Sequence, residues 1–322
     1  MPVVDPEPSA REPTGDAPAR DDNRRNTELL ARELPAARYV DESYLRWLYD
    51  ENPYGPAIQR AVDDDGVRVA HYALIPQRYR GPDGVIPAAF SLHAVTRSGT
   101  QRKGYFQKLG AEIYAEAAEA GWQLSTGVCN DRSIGAVVKY MGWKTPGPLP
   151  VKLCAPGSGR GVTSHLVDES FLASERFVEL TTRIDELPVD GYTNAYTTEY
   201  LRWRLACPST SYAIHADDDL VAITTHDTRL GIRAAVILKL FRRTPGPDTI
   251  RANAVIGAAC RFHRAPYAVY AGFNRHVTVR GVQPPRRLQP SPLHLILRSL
   301  SPAVDQDTLT VDTFEFLDMD AY

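Results

Sequence analysis

The sequence predicts a mixed α/β protein built from two similar domains. Runs with the two-residue alternation of β-strands are interleaved with runs that have the spacing of amphipathic helices. Three short sequence landmarks also occur twice, in the same order. A length of 322 residues agrees with two domains, because single hydrophobic cores rarely grow beyond this size.

Composition and charge limit the classes of partner. The chain is 43% hydrophobic and 24% charged, and its formal net charge of -2 gives no overall attraction to nucleic acid or anionic membranes. No apolar run approaches the ~20 residues that span a bilayer, and the N-terminus lacks the apolar stretch of a secretory signal. We therefore expect a cytoplasmic protein without nucleic-acid or membrane partners. The cysteines show no C-x-x-C spacing, so neither a metal site nor a disulfide framework is predicted.

The N-terminal region begins with a predicted tail. Residues 1–22 are rich in Pro, Asp, Glu, Ala and Arg without periodicity, which predicts disorder. From Asn26 the apolar residues follow helical spacing, and they do so again after Asp41, a residue type that caps helices. Two short helices should therefore open the first domain.

Three strands should follow these helices. The apolar runs 57–62 and 67–75 are joined by an acidic turn that ends in Asp65-Gly66. An Asp-Gly pair supplies the positive φ angles of a tight hairpin. A second turn at 81–84 leads into the run 88–96, so a hairpin and a further strand are predicted.

A helix, a strand and a second helix complete this domain. Apolar residues from Phe106 to Ala117 recur three and four positions apart, which predicts a helix that lies on a sheet and ends at Gly121. The strand 122–128 follows, and Asn130 begins a short helix that ends at Gly142-Trp143.

The loop 101–106, with the sequence Gln-Arg-Lys-Gly-Tyr-Phe, connects the third strand to the longer helix. The first turn of a helix has backbone N–H groups without intrahelical acceptors, and its dipole favours negative charge. Arg102 and Lys103 add positive charge. The loop is therefore a candidate phosphate site. The alternative is an exposed loop that its two cations merely solvate.

The internal repeat predicts a duplicated fold. Its landmarks are Tyr44-Leu45-Arg46-Trp47 with Tyr200-Leu201-Arg202-Trp203, Asp63-Asp64-Asp65 with Asp217-Asp218-Asp219, and Gly127-Val128-Cys129-Asn130 with Gly272-Phe273-Asn274. The second copy has Thr244-Pro245-Gly246-Pro247 in place of the glycine-containing loop, and the two prolines remove two backbone donors. We expect the second copy to keep the scaffold and to lack the anion site.

Two segments of the first copy resemble the GNAT superfamily of acyl-CoA-dependent N-acyltransferases. The loop 101–106 resembles the family's Q/R-x-x-G-x-G/A pyrophosphate loop, and 130–143 resembles its N-x-x-A/S segment that ends in Gly-aromatic. The duplication resembles the tandem branch of the superfamily. The resemblance implies two GNAT-like domains, each a mostly antiparallel mixed sheet flanked by helices. Residues 23–155 would hold the acyl-CoA site, and a degenerate domain, 165–322, would shape the acceptor pocket.

The resemblance also implies a set of coenzyme contacts. The pyrophosphate would lie on the amides of 102–106, pantetheine would add like a strand beside Val95, and Asn130 would hold the pantetheine arm. Phe106 stands where the family often has Gly or Ala, so its side chain either displaces the phosphate or turns into the core. The implied contact residues are Val95, Gln101, Arg102, Lys103, Gly104, Tyr105, Phe106, Asn130 and Ser133.

The catalytic residues are predicted from position. His93 precedes Val95 by two residues and should share its strand face, where an imidazole could act as the base; a structural role for His93 remains open. His71 and His226 are the rival histidines. The family's acid for the leaving thiolate would fall at Val137, and Tyr140 is the nearest substitute.

The resemblance implies an N-acyltransferase that moves an acyl group from acetyl-CoA or a longer acyl-CoA, as cosubstrate, to a primary amine of a small molecule. An amino sugar or a natural-product amine is the expected acceptor, and no permanently bound cofactor is expected. Two alternatives stay open. The chain could be a non-catalytic acyl-CoA-binding regulatory module, or it could acetylate protein or peptide amines through its acidic runs.

Overall fold

The computed structural model describes residues 16–34, 40–101, 103–182, 184, 187–229, 231–246, 248–285 and 292–319. Within these residues, fourteen strands join into one mixed sheet, flanked by helices. No described helix is long and apolar enough to cross a membrane.

The helices are α1 (Asp16–Glu33), α2 (Glu42–Asp50), α3 (Tyr105–Glu119), α4 (Ile134–Met141), α5 (Glu169–Leu172), α6 (Glu175–Thr181), α7 (Thr198–Leu205) and α8 (Asn253–Phe262). The strands are β1 (Ile58–Asp64), β2 (Val67–Gly81), β3 (Gly84–Thr96), β4 (Leu124–Cys129), β5 (Lys144–Pro148), β6 (Val151–Cys154), β7 (Thr163–Leu166), β8 (Tyr192–Asn194), β9 (Ala213–Ala216), β10 (Leu220–Arg229), β11 (Ile232–Arg242), β12 (Ile250–Arg251), β13 (Ala268–Asn274), β14 (Val277–Thr278), β15 (His294–Ser299) and β16 (Val311–Glu315). The sheet order is β5-β15-β4-β3-β2-β8-β16-β13-β11-β10-β9-β7, with β1 beside β2 and β6 beside β13.

The predicted helices and strands of the first half (residues 23–155) are confirmed in type and order, but the short helix after β4 begins at Ile134 rather than at Asn130. Asp41 caps α2, since its side chain accepts a hydrogen bond from the Tyr44 amide at 2.8 Å. The β1–β2 hairpin turns through Asp65 and Gly66, whose φ angles are 50° and 74°. The helix predicted from Phe106 is α3, and its apolar stripe is buried on the sheet.

The first helix begins inside the segment 1–22, for which the sequence predicts disorder. Residues 1–15 lie outside the described residues, and α1 begins at Asp16. Polar contacts fix the second part of α1 to the hairpin. Arg68 donates to Asp22 Oδ1 at 2.8 Å and to Asn26 Oδ1 at 2.6 Å, and Asn26 donates to Gln59 Oε1 at 3.1 Å. Arg68 lies 46 and 42 residues after Asp22 and Asn26. Amino-acid composition alone does not reveal such long-range contacts.

The duplication is present in the structure. In the first half, β2, β3 and β4 lie side by side, and α3 connects the parallel pair β3 and β4. In the second half (residues 165–322), β10, β11 and β13 have the same arrangement, and α8 connects the parallel pair β11 and β13. Each half is therefore an antiparallel hairpin followed by a parallel crossover.

The two halves exchange strands. β6, which precedes the predicted boundary, pairs with β13 of the second half, and β15 of the second half lies between β4 and β5 of the first. The predicted mixed sheets of the two halves are therefore joined in one continuous sheet. Strand patterns show which residues are extended but not which strand each one pairs with. The domain boundary between residues 155 and 165 remains a prediction.

Candidate active site

The parallel strands of the first half part at a defined point. Pairing of β3 with β4 runs from Ala88–Leu124 to Ser91–Gly127 and ends there. Beyond it, β3 continues against β2 to Thr96, while β4 continues against β15 to Cys129. Within the described residues, the two strands therefore diverge beyond Ser91 and Gly127 without pairing with each other. We call this opening the first cleft.

The N-terminus of α3 lies beyond the end of β3. Gly104 is its N-cap, with a left-handed φ of 78° and no side-chain cap, and a Cβ atom at Gly104 would meet no heavy atom within 4 Å. The amides of Tyr105 and Phe106 belong to the first turn, where no intrahelical acceptor exists. First-turn donors without a side-chain cap, next to an uncrowded glycine, are suited to bind an anion.

The charged residues of this loop are placed unequally. Lys103 Nζ lies 3.2 Å from Asp64 Oδ2 of the hairpin turn, an exposed ion pair that holds the ammonium beside the loop. Arg102 lies outside the described residues. Phe106 turns into the core, where its ring stacks on Tyr72 at 5.9 Å, so it leaves the helix start uncrowded.

Asn130 and Ser133 form the turn between β4 and α4. Asn130 Oδ1 accepts from the amides of Arg132 at 3.0 Å and Ser133 at 3.2 Å. Asn274 repeats this in the second half, because its Oδ1 accepts from the amides two and three residues later at 2.9 and 3.1 Å. The sequence repeat therefore extends to hydrogen-bond geometry.

The corresponding opening of the second half is bridged by side chains. There β11 and β13 part after Ile237–Tyr270. Asn274 Nδ2 donates to the Leu240 carbonyl at 2.9 Å, and Glu315 Oε2 accepts from the Leu240 amide at 3.4 Å. Burial raises the pKa of Glu315 to about 7. Side chains of the chain itself thus bond to the edge of β11 at Leu240.

His93 lies at a β-bulge. The β2–β3 register shifts between His71 and Ala73, and His93 has a φ of 51°, a left-handed conformation that non-glycine residues adopt at some cost in energy. Its Nδ1 lies 2.6 Å from the Tyr49 hydroxyl, and both side chains are buried. The bulge breaks the alternation on which the prediction relied. Tyr49, which His93 contacts, nevertheless belongs to the same apolar cluster as Val95. The side chains of His93 and Val95 therefore lie on the same side of the sheet.

The other predicted proton carriers lie elsewhere. His71 is buried beside Tyr49, its Nε2 is 3.2 Å from Gln59 Oε1, and burial lowers its pKa to about 3. His226 is exposed on β10, six strands from β3, with its ring 5.5 Å from that of His263. Tyr140 is 57% exposed on α4, whereas Val137 packs in the core. Of the three predicted catalytic residues, His93 therefore lies on β3 beside the first cleft, Tyr140 on the surface of α4, and His226 in the second half.

Sequence reasoning missed Tyr49. It lies on α2 in a run of aromatic and apolar residues at helical spacing, which is the pattern of any core-facing helix. Its hydroxyl contact with His93 depends on the bulge, and the run 88–96 gave no sign of a bulge because it contains no glycine.

Comparison with known proteins gives structural likeness only. No family model and no curated protein matches the chain. A GCN5-related N-acetyltransferase from Anabaena variabilis superposes with a TM-score of 0.58 at 11% identity, over 88% of this chain and 71% of that one. A tandem GNAT protein from the clavulanic acid biosynthesis pathway gives 0.51 at 13% identity, over 88% and 97%. A probable N-acyltransferase from Enterococcus faecalis gives 0.57 at 11% identity, over 87% and 71%. At these identities a likeness identifies the fold, and the chain has the tandem GNAT fold.

Proposed function

We propose that the protein is an acyl-CoA-dependent N-acyltransferase whose coenzyme site is the first cleft. The contrast between the two halves carries this proposal. Both halves part a parallel strand pair beside a helix, but Asn274 and Glu315 bridge the second opening. In the first half, β3 and β4 stop pairing after Ser91 and Gly127, and the N-terminus of α3 has no side-chain cap.

The coenzyme would use these groups in order along its length. The pyrophosphate would accept hydrogen bonds from the amides of 104–106, where the dipole of a fifteen-residue helix favours negative charge. The side chains of Gln101, Arg102 and Lys103 would supply further hydrogen-bond donors to the pyrophosphate. Pantetheine would pair with the edge of β3 near Val95 as an added strand. The Asn130 amide would donate to it, as the Asn274 amide donates to Leu240.

The chemistry is acyl transfer at the thioester carbon. A neutral amine attacks that carbon, the C–N bond forms, the C–S bond breaks, and the coenzyme leaves as a thiolate. The amine loses a proton, and His93 Nε2 is the group that we assign as its acceptor. In this assignment Nδ1 donates its proton to the Tyr49 oxygen, 2.6 Å away, so that Nε2 is the nitrogen that accepts the proton of the amine. Neither His226 nor Tyr140 has a role in this scheme.

The acceptor would enter between the halves. Phe90 and Leu92 of β3 face Trp47 of α2 and Tyr200 of α7 across a cavity of about 20 Å³. A cavity of this size holds about one water molecule, so an acceptor must push the facing side chains apart. Aromatic walls suit the C–H faces of a sugar, which supports a small amine such as an amino sugar. A similar fold in a natural-product pathway protein supports a natural-product amine equally.

A peptide acceptor is less well supported. It would require the acidic runs to remain available, yet Asp63 accepts from Arg68 at 2.8 Å and Asp217 accepts from the amides of Asp219 and Leu220. These carboxylates stabilise hairpin turns.

The test is release of free thiol from acetyl-CoA in the presence of a panel of amino sugars and simple primary amines, with product mass as the second readout. We expect amine-dependent thiol release. Binding of coenzyme A, measured by calorimetry, separates the two ways in which this could fail. Binding without turnover would favour a regulatory module, and absence of binding would reject the coenzyme site itself.

A further inference from the structure

The second opening retains a small cavity beside its bridging side chains. The cavity has a volume of about 40 Å³ and lies among the end of β11, the turn after β13, and the strands β8 and β16. Such a volume holds roughly three water-sized spheres, which is too small for pantetheine. Its walls come from both halves, because Arg80 of β2 also lines it.

Asn194 is the first sign that the cavity has an occupant. The residue is 2% exposed, and neither polar atom of its side-chain amide has a hydrogen-bond partner. A buried amide without hydrogen-bond partners destabilises the folded state, because it has lost its contacts with water. Asn194 lines the cavity, so a group inside the cavity can satisfy it.

Arg242 is the second sign, on another strand. It is 7% exposed, and Nη1 donates to the carbonyls of Gly246 and Asp248 at 3.0 and 2.6 Å. Its Nε is buried without a partner, so one charge-assisted donor remains on the cavity wall.

Lys239 and Asp312, two further charged residues on the wall, are already paired. Lys239 Nζ lies 2.6 Å from Asp318 Oδ2 and 3.3 Å from Glu315 Oε2. Asp312 accepts from the amides of Asp190 and Gly191 and from Arg275. Among the described residues that line the cavity, the unpaired polar atoms of Asn194 and Arg242 therefore include N–H donors beside a guanidinium charge.

We infer that this cavity is a binding site for a small oxyanion, a carboxylate or phosphate of three to five heavy atoms. Asn194 Nδ2 and Arg242 Nε donate to its oxygens. The site is separate from the first cleft, and the inference does not depend on the proposed acyltransferase activity. The side chains of Asn274 and Glu315 thus occupy most of the second opening, and the remaining cavity between the two halves is large enough for a small anion.

The experiment uses the full chain with Gly104→Glu, which blocks anion binding at the N-terminus of α3. Sodium acetate and sodium phosphate are titrated by calorimetry and by the thermal unfolding midpoint, against sodium chloride at matched ionic strength. We expect saturable binding of at least one of the two anions. Adding Asn194→Leu, which removes the amide at similar volume, should weaken binding about tenfold or more.

Asn194→Asp distinguishes an anion site from a water-filled cavity. A carboxylate fixed beside Arg242 should raise the unfolding midpoint without added salt and abolish the response to acetate and phosphate. The inference is overturned if neither anion binds saturably, if Asn194→Leu binds them as tightly as its parent, or if Asn194→Asp lowers the midpoint.

Discussion

Trp47 and Trp203 stack on each other with their ring centroids 4.9 Å apart and an angle of 18° between the rings. The indole N–H of each donates to the backbone carbonyl of the other, at 3.0 and 3.1 Å. The two residues occupy the same position of the repeated tetrapeptide, 156 residues apart. The contact is therefore reciprocal, as residues beside an approximate two-fold axis between duplicated units must be.

The Trp47–Trp203 pair should contribute strongly to stability. Trp47→Ala removes a buried ring and one hydrogen bond and should lower the free energy of unfolding by about 3–5 kcal/mol. Trp47→Phe keeps most of the packing and should cost about 1–2 kcal/mol. A double-mutant cycle in urea between Trp47→Phe and Trp203→Phe measures the coupling, and strictly additive effects would show that the two indoles do not depend on each other.

The N-terminus of α3 is tested by Gly104→Glu. The substitution places a carboxylate where the pyrophosphate would lie, so the affinity for coenzyme A should fall at least about a hundredfold. Gly121→Glu is the matched control. Gly121 has a similar φ of 81° and open space around it, but it lies at the other end of α3. Calorimetry with coenzyme A should find the control unchanged, and equal losses in both variants would point to backbone strain instead.

Much of this loop could be predicted from the sequence because the signals are local. A glycine before a helix, the helical stripe that follows and the Asn turn after the next strand all lie within a few residues of the groups they affect. Of the two positions expected for Phe106, the structure shows the one in which its side chain packs against the core. Phe106 there extends the apolar stripe of α3.

The bulge and the exchanged strands could not be predicted, because they depend on partners far along the chain. The alternation around His93 is the same with and without a bulge, and only the register with β2 reveals it. β15 follows the elements of the second half along the chain, yet it pairs with β4 across more than 160 residues. The contribution of Tyr49 could not be predicted for the same reason. Its hydroxyl contacts His93, which lies 44 residues away in the chain.

Tyr49→Phe tests the proposed base. It removes the hydroxyl that orients His93 and should lower kcat about tenfold to a hundredfold, with little change in KM for the acyl-CoA. Tyr54→Phe is the control, because the Tyr54 hydroxyl makes contacts of 3.4 Å with Ala195 and Thr197, away from His93. A shift of the pH–rate profile in Tyr49→Phe alone would support a positioning role, whereas an unchanged kcat would remove Tyr49 from the mechanism.

Buried neutral histidines should make the protein less stable in mild acid. Burial lowers the pKa of His71 and His215 to about 3 and that of His263 to about 4. Below the unfolded value of about 6.5 the unfolded chain takes up protons that the folded chain refuses, so each histidine costs about 1.4 kcal/mol per pH unit down to its folded pKa.

Glu315 acts in the opposite direction. Because its folded pKa is raised to about 7, it stabilises the folded state as the pH falls from about 7 to 4.5, but one carboxyl opposes three histidines. Urea denaturation at pH 7 and pH 5 should therefore give a lower free energy of unfolding at pH 5. The difference should shrink in His71→Gln, and a value independent of pH would contradict the burial of these rings.

The strand exchange predicts that the halves cannot fold apart. Residues 16–158 alone would lack β15, which lies between β4 and β5, and residues 159–319 would lack β6, which pairs with β13. Leu295 and Leu297 of β15 are fully buried, so their loss opens the first core to water. Each half expressed alone should aggregate or lack cooperative unfolding by circular dichroism, whereas coexpression should yield a one-to-one complex by size exclusion. A cooperative transition in the isolated first half would mean that β15 is dispensable, because β4 and β5 could then close the sheet without it.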